Sequence, residues 1–175
     1  MKNNVQFEQL IPSLYNNYIT IGTKAYNQHY RHLWPNGDTS TYIQNSFTKE
    51  VLLKEEQDKN TVLYLLKLDG IYVGLLKINL DMAVAELSKS QALYLDKIYI
   101  LKEFTGLGIG RETLKFIENK AKELSKKAIF LESMQNGPAL PFYLANNFSI
   151  INTTKVPFEN VIEEEKPMFV LLKKI

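Results

Sequence analysis

A short glycine-rich segment has the clearest capacity for chemistry in this sequence. Residues 105–111 read Thr-Gly-Leu-Gly-Ile-Gly-Arg, so three glycines alternate with other residues. Glycine lets a backbone approach a ligand closely, and the segment leads into a predicted helix whose first N–H groups and positive dipole end lack partners. Such groups bind phosphate oxygens, and a pyrophosphate is the ligand that fits them best.

The spacing of the glycines excludes two other phosphate-binding loops. A dinucleotide-binding fold requires Gly-x-Gly-x-x-Gly near the chain start, whereas the pattern here is Gly-x-Gly-x-Gly and follows four predicted strands. A Walker loop requires Gly-Lys followed by Ser or Thr, which is absent. The remaining alternative is a tight turn that only packs a helix against a strand.

Cysteine and histidine offer little chemistry in this chain. No cysteine is present, which excludes disulfides, zinc–thiolate sites and thiol nucleophiles. His29 and His32 are three residues apart on one predicted helical turn and could share a metal ion, but no third ligand motif accompanies them. We therefore predict a site without a metal.

Hydrophobic periodicity and turn residues predict the elements that position the glycine loop. Strands are expected at residues 5–10, 61–68, 71–80, 92–100, 128–132, 149–155 and 168–173, and helices within 14–34, 38–57, 111–124 and 139–146. Asp38 is the expected N-cap of the second helical segment, and Asp69-Gly70 predicts a type I′ hairpin turn. This order predicts an α+β, or mixed α/β, fold with helices covering a sheet.

Two motifs carry a resemblance to a known family. The strand Tyr-Leu-Asp-Lys-Ile-Tyr-Ile at 94–100 and the glycine loop after it resemble the central motif of the GNAT acetyltransferase superfamily, Tyr-x-x-x-Ile-Tyr-Ile followed by Arg/Gln-x-x-Gly-x-Gly/Ala. Gly108 and Gly110 match its two fixed small positions. Thr105 replaces the usual Arg or Gln, a departure that affects one side-chain contact but not the loop backbone.

The second motif follows the next predicted strand. Asn-Gly-Pro-Ala-Leu-Pro-Phe-Tyr-Leu-Ala-Asn-Asn-Phe at 136–148 is similar to the family pattern Asn-x-x-Ala-x-x-Phe-Tyr-x-x-x-Gly-Phe. Only Asn147 departs from it, and Asn is the usual substitute for glycine at a left-handed helix end. The resemblance covers roughly residues 60–150 and implies the acyl-CoA N-acyltransferase fold, a central, mostly antiparallel sheet of six or seven strands flanked by helices.

The resemblance also implies roles for individual residues. Acetyl-CoA is the implied cosubstrate, with its pantetheine arm on the backbone of the strand before the loop and its phosphates on the loop. The implied binding residues are Ile98, Tyr99, Ile100, Gly106, Leu107, Gly108, Ile109, Gly110, Arg111 and Asn136. Tyr143 matches the tyrosine that protonates the departing thiolate, and a phenol can act in an apolar cleft without burying a charge.

The implied reaction is acetyl transfer to a primary amine by direct attack in a ternary complex. The general base is left open between Asp96, Glu132 and a bound water. The acceptor is a small molecule such as a polyamine, or a peptide or protein amine, held near the first helices. The resemblance places it around His32, Trp34, Asp38 and Tyr42, but we expect Trp34 to be a core residue and Asp38 a helix cap. Alternatives from other classes are a CoA-binding module without catalysis and a nucleotide-binding protein.

Composition sets the remaining expectations. A length of 175 residues with 45% hydrophobic and 23% charged residues suits a single domain over residues 1–175. The 21 basic and 19 acidic residues give a net charge of +2, which predicts no nucleic-acid partner. Without a signal-peptide core or a run of about 18 apolar residues, we expect a cytoplasmic protein with no membrane partner. A monomer or a homodimer is expected.

Overall fold

One continuous sheet of seven strands organises residues 4–175, which the computed structural model describes. Residues 1–3 of the predicted domain lie outside this range. The strands in chain order are β1 (Val5–Gln9), β2 (Thr61–Leu68), β3 (Ile71–Asn79), β4 (Ala92–Ile100), β5 (Ala128–Met134), β6 (Ser149–Lys155) and β7 (Pro167–Lys174). Their spatial order is β1-β2-β3-β4-β5-β7-β6. The predicted mostly antiparallel sheet of six or seven strands is therefore confirmed.

The hairpin between β2 and β3 forms as its turn residues predict. Asp69 has φ 49° and Gly70 has φ 84°, the two positive angles that a type I′ turn requires. The turn sets the pairs Leu68↔Ile71 and Lys67↔Tyr72, and a bulge at Val73 then shifts the register by one residue before it continues to Thr61↔Asn79. Both strands are largely apolar and buried, as expected for the middle of a sheet that is covered on both faces.

The parallel pairing of β4 with β5 is short. It runs only from Ala92↔Ala128 to Tyr94↔Phe130. Beyond that point β4 stays paired with β3 as far as Ile100, and β5 stays paired with β7 as far as Met134. The two strands therefore part in the middle of the sheet and leave a V-shaped opening between them.

Five α-helices within residues 4–175 cover the two faces of the sheet. They are α1 (Tyr15–Tyr30), α2 (Ser40–Ser46), α3 (Lys49–Gln57), α4 (Ile109–Glu123) and α5 (Ala139–Ala145). None of the helices in this part of the chain is both long and apolar enough to cross a bilayer.

Each face of the sheet has its own apolar core. Helices α1, α2 and α3 pack on one face, where Leu65 and Leu75 belong to the core, and α4 and α5 pack on the other, with Leu66 and Leu76. Neighbouring strand residues enter opposite cores because side chains alternate along a strand. We call these two sides the α1 face and the α4 face.

The second helical region differs from the prediction at its start. Asp38 is not the N-cap: its Oδ1 accepts a hydrogen bond from the Ser40 N–H at 3.0 Å, in a turn before α2, and Thr39 precedes the first helical residue. The region then divides into α2 and α3, and Thr48 caps α3 by accepting from the Val51 N–H at 3.2 Å. The Asp38 carboxylate bonds the backbone two residues on, as in an Asx turn, and the helical backbone begins only at Ser40.

Packing between α1 and α2 yields a prediction for Gly22. A Cβ at this position would lie 2.6 Å from Cζ and 2.7 Å from Cδ1 of the buried Phe47 ring. Overpacking costs about 1–3 kcal/mol, which exceeds the gain of about 1 kcal/mol that Ala brings to a helix. We expect Gly22→Ala to lower the free energy of unfolding in a denaturant titration. The exposed Asn17→Ala on the same helix should raise it slightly, and a more stable Gly22→Ala would contradict the packing.

Candidate functional site

The glycine loop turns through two left-handed residues between β4 and α4. Gly106 has φ 79° and Gly108 has φ 81°, and a Cβ at either position would meet no atom within 4 Å. Gly108 is the N-cap of α4, which begins at Ile109, two residues earlier than predicted, and no side chain caps it. The first helical N–H groups therefore point out of the loop without intrahelical partners, which is the geometry that binds phosphate.

Gly110 and Thr105 serve the local packing of the loop. A Cβ at Gly110 would lie 3.1 Å from Cζ of Phe142, so the glycine lets α4 approach α5. The Thr105 hydroxyl donates to the Lys102 carbonyl at 2.7 Å and closes the turn before the loop. The residue that departs from the family pattern thus stabilises the turn itself. Arg111 is exposed in the first turn of α4.

The open edge of β4 presents the backbone of two of the three predicted strand residues. The Leu101 N–H donates to the Val73 carbonyl at 2.9 Å, and Gly74 is registered with Ile100. Because hydrogen bonding alternates along an antiparallel strand, Ile98 and Ile100 direct their N–H and C=O groups toward the opening. The backbone of Tyr99 faces β3 instead, so of these three residues only Ile98 and Ile100 expose backbone groups at the open edge.

Asp96 is the extra residue of a β-bulge in β4, since Lys77 is registered with Lys97 but Ile78 with Leu95. Asp96 lies 2.8 Å from Lys77 Nζ and 3.3 Å from Lys97 Nζ. Burial opposes the ionisation of Asp96, but the two ammonium groups outweigh it and lower the pKa of its carboxyl. Asp96 is therefore held as a carboxylate in ion pairs, which makes it a weak proton acceptor.

Glu132 lies across the opening from Asp96. Each acid is two residues beyond the last β4–β5 pair, Tyr94↔Phe130, on its own strand. Within residues 4–175, no lysine, arginine or histidine forms an ion pair with Glu132. The residue as a whole is exposed. Partial burial of the carboxyl and the charge of Asp96 raise the pKa of Glu132. Of the two acids, Glu132 has the properties of a proton acceptor.

Tyr143 is fixed by the way α5 ends. The Phe148 N–H donates to the Tyr143 carbonyl at 3.2 Å, and Asn147 has φ 67°, which together form the predicted left-handed helix end. The Tyr143 ring lies with its centroid 5.2 Å from that of Phe142 and 5.7 Å from that of Phe148. Burial, and secondarily Tyr30, raise the pKa of the Tyr143 hydroxyl, so it stays protonated and able to donate.

An aromatic cluster occupies the α1 face beside the opening. Tyr42 stacks on Tyr26 with ring centroids 3.7 Å apart, and the Tyr42 and Tyr99 hydroxyls share a hydrogen bond of 2.5 Å. The buried Trp34 donates from Nε1 to the Tyr26 hydroxyl at 2.9 Å. Trp34 is thus a core residue and does not line an acceptor pocket, because burial under α1 places its ring away from solvent.

Two of the expected acceptor-site residues do not join this cluster. His32 and Asp38 are exposed, and the contacts of Asp38 within the described chain are with Ser40. Of the four residues named around the acceptor, only Tyr42 contacts β4 beside the opening, through its hydrogen bond with Tyr99. The other predicted site residue outside the loop, Asn136, is exposed between β5 and α5.

The histidines and acids do not assemble a metal site. Within residues 4–175, no three His, Cys, Asp or Glu side chains come together as metal ligands would. His29 Nε2 instead lies 2.8 Å from the Ile100 carbonyl, to which it donates a hydrogen bond. This contact joins α1 to the open edge of β4.

Comparison with known proteins places this architecture in one family. The model of the acetyltransferase (GNAT) family matches residues 22–148. The chain belongs to the GNAT acetyltransferase family, and the resemblance inferred from the two sequence motifs is confirmed.

Individual relatives agree with this family at low sequence identity. An uncharacterized N-acetyltransferase of the pepI 3′ region of Lactobacillus delbrueckii subsp. lactis is 28% identical over 113 residues, which span 64% of this chain and 65% of that relative. The match thus covers a little under two thirds of the relative's length. Among solved structures, PaiA N-acetyltransferase from Thermoplasma acidophilum, determined with coenzyme A, has a TM-score of 0.77 at 16% identity and covers 98% of this chain and 99% of that one.

An acetyltransferase from Thermus thermophilus is similar over the same extent. Its TM-score is 0.71 at 12% identity, with 99% of each chain covered. At such identities these structures establish the fold.

Sequence reasoning missed three residues that hold the site. Lys77 and Lys97 fix Asp96, and Lys77 also lies 2.6 Å from Glu55 of α3. Gln28 of α1 contacts the turn before the glycine loop. Lys77 could have been found from the sequence, because it is a lysine within an otherwise apolar predicted strand and a buried charge needs a partner.

The loop geometry predicts the effect of Gly108→Asp on coenzyme A affinity. The new carboxylate would project into the space where phosphates are expected and would repel them, so binding measured by calorimetry should be lost. Gly70→Asp is a matched control, since Gly70 also has positive φ and open space around a Cβ, but lies in the β2–β3 turn. Both variants should lose similar stability, and retained affinity in a folded Gly108→Asp variant would contradict the site.

Proposed function

We propose that this protein is an N-acetyltransferase that transfers an acetyl group from acetyl-CoA to a primary amine by direct attack in a ternary complex. The observation that carries the proposal is the parting of β4 from β5, which opens the sheet directly before the glycine loop. Membership of the acetyltransferase family supports the same reaction. A thioester supplies an activated acetyl group, and the residues of this chain bind it and move protons around it.

The residues present fit acetyl-CoA. The backbone groups that Ile98 and Ile100 direct into the opening have no strand partner there, and they suit the amides of a pantetheine arm, which can add to β4 as a strand would. The phosphates fit the space beside Gly106 and Gly108, where no side chain intrudes and the first N–H groups of α4 are directed. The exposed Arg111 lies in the same helical turn and adds a positive charge.

Tyr143 is the proposed proton donor. In the reaction a bond forms between the amine nitrogen and the acetyl carbon, the carbon–sulfur bond breaks, and the sulfur takes a proton. A neutral phenol held in an apolar environment suits that role, and its raised pKa keeps it protonated at neutral pH. No hydrogen bond to the Tyr143 hydroxyl occurs within the described residues, so the proton is available for transfer.

Glu132 is the proposed proton acceptor for the attacking amine. It sits where the strands part, on the same side as Tyr94 and Phe130, and no lysine among residues 4–175 forms an ion pair with its carboxylate. A carboxylate without a cation partner also favours the approach of a positively charged amine. Asp96 is already committed to Lys77 and Lys97, which makes it the weaker candidate.

The test of the proposal is incubation with acetyl-CoA and a panel of amines, including polyamines, free lysine and peptides with free amino groups. Release of free thiol that depends on both the protein and the amine is the expected result. Tight binding of coenzyme A without turnover on any amine would identify a CoA-binding module instead. Protection against thermal unfolding by ATP or NAD, but not by coenzyme A, would identify a nucleotide-binding protein.

The role of Tyr143 predicts that Tyr143→Phe lowers kcat by roughly 10² to 10⁴ while the affinity for acetyl-CoA changes by less than a few-fold. The melting temperature should hardly change, because the ring and its packing remain. Tyr72→Phe is the control: it removes a hydroxyl that donates to Glu8 of β1 at 2.9 Å. A near-normal kcat for Tyr143→Phe, under conditions where chemistry limits the rate, would remove Tyr143 from the mechanism.

The pKa of Glu132 predicts how activity depends on pH. A general base acts when deprotonated, so kcat/KM should rise as pH increases through the pKa of Glu132. Since that pKa is raised, the rise should lie above the range of an ordinary glutamate, about 4.3. Glu132→Gln should lower kcat by about 10² or more, and the exposed Glu123→Gln should not.

A second variant tests the origin of that shift. Asp96→Asn removes the neighbouring negative charge and should move the rise in kcat/KM to lower pH. If the pH dependence of kcat/KM is unchanged in both Glu132→Gln and Asp96→Asn, a bound water is favoured as the base.

A further inference from the structure

Helix α1 contacts the chain at the point where β4 ends and the glycine loop is about to begin. Lys24 and Gln28 are one helical turn apart, with His29 next in sequence, and all three reach residues 100–103. This segment leaves the sheet after the Leu101 N–H bond to Val73 and enters no regular element before α4 except one short turn. Contacts from α1 therefore provide much of what holds it.

Gln28 makes two hydrogen bonds with one amide group. Its Oε1 accepts from the Lys102 N–H at 2.8 Å, and its Nε2 donates to Glu103 Oε2 at 2.9 Å. Lys24 forms an ion pair with the other Glu103 oxygen, and Lys24, the local backbone and Gln28 lower the pKa of Glu103 to about 2. The Lys24–Glu103 ion pair is exposed and contributes little to the free energy of unfolding. What it does is link α1 to the turn at Glu103.

His29 holds the last residue of β4 through the backbone. Its Nε2 donates to the Ile100 carbonyl at 2.8 Å, and since a carbonyl only accepts, the ring carries its proton on Nε2 in this contact. The Ile100 carbonyl belongs to the open edge of β4. A carbonyl oxygen has two lone pairs, so a peptide plane fixed by His29 can still accept a second hydrogen bond from a ligand.

We propose that Gln28 and His29 are positioning residues for the cosubstrate. They hold residues 100–103 in the shape that presents the β4 edge and the glycine loop to coenzyme A before it binds. The inference rests on the proposed function, because it assumes that coenzyme A occupies the opening and the loop. Because residues 100–103 are already ordered before coenzyme A binds, less conformational entropy is lost on association. These contacts therefore affect the affinity for coenzyme A and not the chemical step.

The experiment measures coenzyme A affinity by calorimetry and steady-state kinetics for Gln28→Met and His29→Phe. Each variant keeps the bulk of the side chain and removes its hydrogen bonds. We expect affinity about tenfold weaker in each, as the loss of one or two hydrogen bonds implies, and kcat at saturating acetyl-CoA within twofold of the unmodified protein. Hydrogen exchange in the free protein should be faster at residues 100–108.

Three further variants make the result specific. Asn17→Met alters an exposed residue of α1 that makes no contact with this segment, and should leave affinity unchanged. His29→Gln retains an N–H donor and should recover part of the affinity. Gln28→Glu keeps the acceptor for the Lys102 N–H but loses the donor to Glu103, so it should be at least as weak as Gln28→Met because of charge repulsion.

Each outcome decides the proposal. Unchanged affinity in folded Gln28→Met and His29→Phe overturns it, and so does a fall in kcat with affinity intact. If either of these variants is too unstable to measure, the milder pair of variants provides the test. His29→Gln should then bind coenzyme A more tightly than Gln28→Glu, and the absence of this difference would overturn the proposal. Failure of the unmodified protein to bind coenzyme A would overturn the proposed function instead, which separates the two failures.

Discussion

The parting of β4 from β5 is the constraint on which the rest of this structure depends. Backbone N–H and C=O groups inside a protein are almost always paired, and a break in the middle of a sheet leaves a row of them without partners. The pairing ends at Tyr94↔Phe130, and the bulge at Asp96 follows at once on β4. An extended ligand with amide groups can satisfy this edge, and the glycine loop follows it in the chain after one short turn.

The two faces of the sheet carry different groups of the candidate site. The α4 face carries Tyr143 and the helix whose N-terminus opens the loop, so it suits the cosubstrate and its leaving group. The α1 face carries the tyrosine cluster, Asp96 and Glu132, so it suits the acceptor amine. The opening joins the two faces, because elsewhere the described strands are paired across the sheet. Helix α1 lies on the same face as the tyrosine cluster, yet it contacts the turn before the loop through Gln28 and His29.

The charges near the opening explain why two similar acids have different properties. Lys77 lies between Glu55 and Asp96, and Lys97 also forms an ion pair with Asp96. Buried ions are costly unless paired, and removing one member of such a chain would leave the others uncompensated. The network therefore keeps Asp96 ionised. Glu132 has no such partner within the described residues, so burial and, secondarily, the charge of Asp96 raise its pKa.

The sequence by itself determined the elements and the cosubstrate loop. Alternation and turn residues such as Asp69-Gly70 and Asn147 are local signals, and two motifs with correct spacing were enough to indicate the family. Only the tertiary structure decided which acid is held in ion pairs, that Trp34 is core and Asp38 is a turn residue, and that Gln28 and His29 reach β4. These outcomes depend on contacts between residues far apart in the chain, such as Lys77 with Glu55 or His29 with Ile100, and no local pattern encodes which distant side chain will arrive beside a given group.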